Sequence, residues 1–369
     1  MKKCISLVIF LTVVALPILP WSVGTAETTT EIESFALYDQ EDVLVIKHIG
    51  TQQFVSMYAM RGQQMTSKWD YELSFRAESI LPLIGIQHIA VYGEDGLVVL
   101  SDTGQELEVA TFEHPINWCV HRISPGEQSA VLSDFNCFLI ITKQGVIMQQ
   151  IPKQEYTTDM PPQAEQLKRI LIDDRAVIYS GNKEGHYWRY DVDTGWKKSD
   201  IDGVLAFVDA QGIWSLSGNT VKRNGETIMK LPKPKHKYFV GSVNLGGFVV
   251  YDMPDWSDND ASYSSLLFSV ADKRIARWMN ETVDDYVGVS SNMRFGLKLD
   301  EETLVAWTKD TGTTEYPRPK AMDQLSASYC IRNDGSVLMQ AFDEAAEGIG
   351  QFWLFDLVTG EYKPVAMVG

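Results

Sequence analysis

The chain has 369 residues, with 32 lysines and arginines against 49 aspartates and glutamates and a formal net charge of −17. So acidic a chain repels phosphate backbones, which excludes nucleic acid as a natural partner. Its four cysteines, Cys4, Cys119, Cys137 and Cys330, show no Cys-x-x-Cys spacing, which excludes a disulfide scaffold, a zinc site of paired cysteines and a c-type haem site.

The first segment carries Lys2 and Lys3, an apolar stretch from Ile5 to Leu19, and the small residues Gly24 and Ala26. This is the order of a secretory signal. The apolar stretch falls short of the roughly 20 residues that cross a bilayer and is broken by Pro17 and Pro20, so cleavage after Ala26 is expected rather than a membrane anchor. Cys4 stands at the front of that stretch and not at the cleavage point, which argues against a lipid-modified cysteine. The expected organisation is a signal at 1–26, a short polar segment at 27–33 and one domain over 34–369. The mature protein is then exported, periplasmic or extracellular, a monomer, and without a transmembrane segment.

From there the chain repeats its turns rather than its words. One series closes with Thr-Gly or a near equivalent: MRGQ near 62, SDTGQ near 104, TKQGV near 145, DVDTGW near 195, KRNGE near 225, VADKR near 273, TKDTGT near 312 and DLVTGE near 360. These recur about every 43 residues, the length of one four-stranded unit. A second series (DQED near 41 through NDG near 334) and a third (GTQ near 51 through DEAAEGIG near 347) keep step with the first, so each repeat reads as four strands, A to D. Between the turns lie runs such as VLVI (43–46), FLII (138–141), FVVY (248–251) and FWLF (352–355), apolar at consecutive positions, as strands buried on both faces require. Sheets stacked face to face around an axis supply that burial and limit exposed edges. The predicted fold is an all-β β-propeller of eight four-stranded blades, with seven as the alternative if the short fifth repeat is miscounted. A pair of β-sandwich domains is the competitor, disfavoured by the absence of a Pro/Ser-rich linker. The one helical pattern of note is 161–171.

YDVDTGW (190–196), FDLVTGE (355–361) and WTKDTGT (307–313) resemble the strand-turn-strand signature of propellers of the pyrroloquinoline-quinone-like and WD-repeat (WD40-like) type, and SPGEQSAVLSD (124–134) resembles the first hairpin of their blades. The resemblance concerns the fold. Quinone-dependent dehydrogenases of this shape carry a vicinal cysteine pair that this sequence lacks, so the resemblance implies instead a non-enzymatic exported scaffold or binding module.

Antiparallel strands put the B–C and D–A connections on one face of the disc and the A–B and C–D turns on the other. The first face receives the long loops 152–166, 253–264 and 343–350, rich in acid. The expected function is binding of a partner protein or envelope component through that acidic face, at Asp159, Trp256, Asp343, Glu344 and Glu347. Asp255, Asp258 and Asp260 offer closely spaced hard oxygens for calcium, the one cofactor considered. Their loop lacks a glycine at the sixth position from Asp258 and has Ser269 where a bidentate glutamate belongs, so a solvated loop competes with the metal. Lys230, Lys233, Lys235, His236 and Lys237, spaced by prolines on a D–A connection, form the one basic cluster, suited to an anion or to the acidic loops beside it.

The alternative function is an enzyme at the central channel acting on a small or glycan substrate. His121, Arg122, Tyr329 and Arg332, with Asp209, Tyr238 and Tyr286, are expected at or near the axis, where such groups can do acid–base work. No Gly-x-Ser-x-Gly, His-Glu-x-x-His, P-loop or Rossmann pattern supports it. His114, Cys119 and His121 read as ordinary core and channel residues rather than as a metal site. The tryptophans, about one per repeat, read as interblade packing. Cys119 and Cys137, on strands A and C of one repeat, stand about 10 Å apart across strand B, beyond the reach of a disulfide, so the mature thiols are expected to be free and buried.

Overall fold

The computed structural model describes residues 30–118, 120–134, 137–150, 170–181, 184–244, 246–253, 264–279, 288–299, 303–310, 312–317, 329–342 and 350–368. They form thirty-two strands in eight consecutive sets of four, each set antiparallel throughout and ordered A-B-C-D. The blades span 30–72, 79–111, 120–150, 170–200, 204–230, 237–279, 288–317 and 329–368. The A strands of neighbouring blades approach one another, as Thr30–Leu37 does Ser79–Leu83, and so converge on the axis. The chain is an all-β propeller with eight such sets.

The core is divided among the blade interfaces. Strand B of blade 1, Asp42–Ile49, shows how. Val43, Leu44, Val45 and Ile46 are all fully buried. Successive side chains point to opposite faces of a strand. Leu44 and Ile46 therefore pack with Ile89 and Val91 of blade 2, while Val43 and Val45 pack with Leu338 and Phe352 of blade 8. The same division holds in strand B of blade 6, Gly247–Met253. There Phe248 and Val250 face Trp214 of blade 5, and Val249 and Tyr251 face Trp307 of blade 7. Eight apolar clusters correspond to eight interfaces around the ring. Trp69, Trp118, Trp196, Trp214, Trp307 and Trp353 all lie in or against these clusters, as their spacing predicts.

The turns recur with the same regularity. In the C–D turns a left-handed residue closes each blade: glycine in seven, from Gly62 (φ 60°) to Gly360 (φ 74°), and Lys273 (φ 53°) in blade 6. In five A–B turns the amide of a left-handed residue donates to a carbonyl three residues back. Gln87 donates to Ile84 at 3.1 Å, Glu127 to Ser124 at 2.8 Å, Ala176 to Asp173 at 2.9 Å, Met293 to Ser290 at 2.8 Å and Gly335 to Arg332 at 3.2 Å. The first residue of the turn supplies a cap where it can. Ser124 and Ser290 Oγ each accept two following backbone amides, and the buried Asp173 carboxylate accepts those of Arg175 and Val177, the Tyr179 hydroxyl and the Arg175 guanidinium.

Neither end of the described chain lends a strand to the blade at the other end. Blades 1 and 8 instead share one eight-stranded sheet, in which Gln64, Met65 and Thr66 pair in parallel with Ala366, Met367 and Val368. The Ala366 amide donates to the Gln63 carbonyl at 2.8 Å. Inside this seam Phe35 meets Phe352 edge-on at 5.1 Å, and the buried Gln340 amide donates to the Ile32 carbonyl at 3.1 Å.

Two boundaries differ from the sequence reading. The first described strand starts at Thr30, ahead of the expected boundary at 34, and Ile32, only 5% exposed, belongs to the seam despite its polar neighbours. The helical pattern at 161–171 ends in a strand, Ile170–Ile172, whose three side chains are buried between blades; residues 151–169 lie outside the described residues. Residues 1–29, with the expected signal, also lie outside them. No helix among the described residues is long and apolar enough to cross a membrane.

Phe352→Ala removes the ring at the centre of the seam and is expected to lower stability by about 3–5 kcal/mol in equilibrium denaturant unfolding. A loss below 1 kcal/mol would mean that the seam is not packed as described.

Candidate functional site

The two faces of the disc are unequal. All A–B and C–D connections run from two to five residues. On the opposite face short connections alternate with far longer ones, 112–119, 151–169, 254–263, 280–287, 318–328 and 343–349. Asp159, Asp255, Trp256, Asp258, Asp260, Asp343, Glu344 and Glu347 fall on these connections and lie outside the described residues, so the expected acidic surface and calcium ligands have no geometry to report. The described part of this face carries acid beside blades 1 and 2. A β-bulge between Ile32 and Ser34 turns out Glu33, whose carboxylate meets His48 Nε2 at 2.8 Å and accepts from Gln53 Nε2 at 2.5 Å. Glu78, Glu94 and Asp95 stand nearby, and burial together with Glu94 pushes the Glu78 carboxyl above its usual range. Among the described residues no group of three or more His, Cys, Asp or Glu side chains is arranged to hold a metal.

The described channel candidates are spread over four blades. His121 and Arg122 lie on strand A of blade 3, Val120–Ile123, and Tyr329 on strand A of blade 8, Tyr329–Ile331. The His121 imidazole reaches water, yet the protein surrounding it, and secondarily the Arg122 guanidinium, hold its pKa below the ordinary value. Arg122 donates to the His121 carbonyl at 2.9 Å. Arg332 follows strand A of blade 8 and turns away from the axis into the seam. It is 6% exposed, its Nη2 lies 3.5 Å from Met60 Sδ, and its Nε has no partner. Asp209 holds the Trp214 indole at 2.8 Å within blade 5, and the buried Tyr238 hydroxyl donates to the Pro232 carbonyl at 2.9 Å. Tyr286 and Cys119 lie outside the described residues.

A different constellation is well formed. Between blades 5 and 6, on the face of the long connections, a cavity of about 470 Å³ is lined by Glu184, Val204, Leu216, Gly218, Asn219, Lys233, Pro234 and 236–240. Val204, Leu216 and Val240 give it an apolar lining, and the 231–236 connection, where the sequence reading placed the basic cluster, contributes Lys233, Pro234 and His236. That connection is fixed at both ends. Asn219 clasps its start, donating from Nδ2 to the Leu231 carbonyl at 3.0 Å and accepting the Leu231 amide at 2.7 Å. The Asp252 carboxylate, 3% exposed, accepts the amides of Lys235 at 2.7 Å and His236 at 2.9 Å. Pro232 and Pro234 restrict the backbone between. Lys233, His236 and Lys237 are thereby presented, exposed, around the cavity; the Lys237 ammonium sits 5.5 Å from the Phe239 ring centre. The cations are legible in the sequence, whereas the apolar lining is drawn from strands of two blades and is not.

No protein-family model and no curated protein matches the chain. Among solved structures it is similar to Kluyveromyces lactis Hsv2 (10% identity, TM-score 0.46, covering 92% of this chain and 100% of that one). It is also similar to the β-propeller domain of Myceliophteria thermophila Cps50 (9%, TM-score 0.43, 85% and 93%) and to the Neurospora crassa Pan2 WD40 domain (9%, TM-score 0.43, 84% and 85%). The chain's own strand pairing makes it a β-propeller. At such identities the likeness concerns fold alone.

Among the described residues Cys137 and Cys330 are free cysteines. Burial, with help from Asp134, pushes the Cys137 thiol up to about 12, and burial pushes Cys330 up to about 11. Both therefore stay protonated and unreactive near neutrality. Iodoacetamide at pH 8 should leave Cys137 and Cys330 unmodified in the native chain and modify both after unfolding, read by peptide mass mapping; native labelling of either would contradict the burial described.

Proposed function

We propose that this chain is an exported, non-catalytic propeller that binds a partner protein or envelope component through the face of its B–C and D–A connections. The observation that carries this reading is the inequality of the two faces: every connection longer than five residues joins strand ends on one side of the disc. Connections of that length on a rigid scaffold are where binding residues collect. Asp159, Asp343, Glu344 and Glu347 would supply charge and Trp256 an apolar anchor, which suits a partner with a basic surface. Calcium held by Asp255, Asp258 and Asp260 belongs to the same proposal. Export rests on the 1–26 segment. A channel enzyme is the weaker reading, because Arg332 is buried in the seam beside Met60.

The test is charge reversal on each face. Asp255→Lys, Asp258→Lys and Asp260→Lys together should reduce capture of a crosslinked envelope partner at least tenfold. Asp193→Lys, Glu226→Lys and Asp310→Lys, exposed at the C–D turns opposite, should leave it unchanged. Equal capture by both variants would overturn the choice of face.

A further inference from the structure

The cavity between blades 5 and 6 has a feature that partner docking on acidic loops does not use. In this acidic chain, cations are commonly matched with carboxylates: Lys47 with Asp70, Lys68 with Asp42 and Lys309 with Asp272, each at 2.7 Å, and Arg175 with Asp173 at 2.6 Å. Among the described residues no carboxylate pairs with Lys233, His236 or Lys237, although all three border one cavity. Their connection is held by Asp252, Asn219 and two prolines, so the backbone that carries these charges is fixed before any ligand arrives, which limits the ordering a ligand must impose to the side chains.

We propose that this cavity binds a small amphiphilic anion, a carboxylate or phosphate head on an apolar body. The head would lie against Lys233, His236 and Lys237, and the body against Val204, Leu216 and Val240. A volume of about 470 Å³ falls within the range of small-molecule sites, and an apolar wall with a few convergent polar groups is their usual composition. The lysines are compact point charges without the planar fork of arginine, so the site selects charge and not one head geometry. Glu184, the one acid of the lining, opposes the head and tempers its affinity. The proposal is independent of any macromolecular partner and stands if the loop face proves inert.

Calorimetric titration of the full chain with 1-naphthyl phosphate, 1-naphthoate and neutral 1-naphthol tests it. At least one of the two anions should bind ten or more times tighter than naphthol, and which of them does so assigns the head chemistry. Lys233→Gln with Lys237→Gln, both exposed and structurally undemanding, should erase that preference without lowering the melting temperature. Glu184→Gln should tighten the anion two- to fivefold, a gain that misfolding cannot produce. Anions binding no tighter than naphthol, a preference that survives the double substitution, or no gain from Glu184→Gln would overturn the proposal.

Discussion

The short parallel pairing of 64–66 with 366–368, and the apolar cluster beneath it, is the contact on which the rest of the ring depends. Seven interfaces join blades that are consecutive in sequence. The eighth joins strands some 300 residues apart, and the loop-closure entropy of bringing them together falls on it alone. Phe35 against Phe352, the Gln340 amide on the Ile32 carbonyl, and Met65 and Val365 in the same cluster repay that cost. Open the seam and blades 1 and 8 each lose the covering of a face. Val43 and Val45 on one side and Leu338 and Phe352 on the other, all but fully buried, would meet water.

Closure also fixes what the faces can do. Every blade starts at the axis and runs A to D, so chain direction assigns B–C and D–A connections to one side throughout the ring. A long insertion there disturbs no ladder, whereas the other side is occupied by left-handed turns with their own hydrogen bonds. The cavity between blades 5 and 6 follows from the same geometry. A D–A connection must cross from the outer strand of one blade to the inner strand of the next, and where Asp252 and Asn219 hold that crossing above the sheets it leaves room beneath.

The fold was legible because its two strongest signals are local. Consecutive apolar residues such as VLVI at 43–46 require burial on both faces, and the C–D turns show glycine in seven blades of eight. The A–B turns were harder to read as a repeat. Their left-handed position is filled by Gln87, Glu127, Ala176 and Met293, residues without a turn signature, and by glycine only at Gly335. The site was half legible. Proline-spaced lysines marked the 231–236 connection, but the cavity needs Val204 and Leu216 of blade 5 opposite Val240 of blade 6, a juxtaposition set by blade packing. Arg332 reads as an axial residue from its strand position. At its position three other A–B turns put a capping serine or aspartate, whereas the arginine reaches into the seam.

The ring is closed between its first and last blades, and amide hydrogen exchange across that junction tests this closure most directly. The Ala366 amide, bonded to the Gln63 carbonyl, should exchange as slowly as amides in the middle strands of the blades, opening only with global unfolding. Exchange of Ala366 at the rate of a free edge strand, while the blade interiors stay protected, would show an open ring and contradict the account.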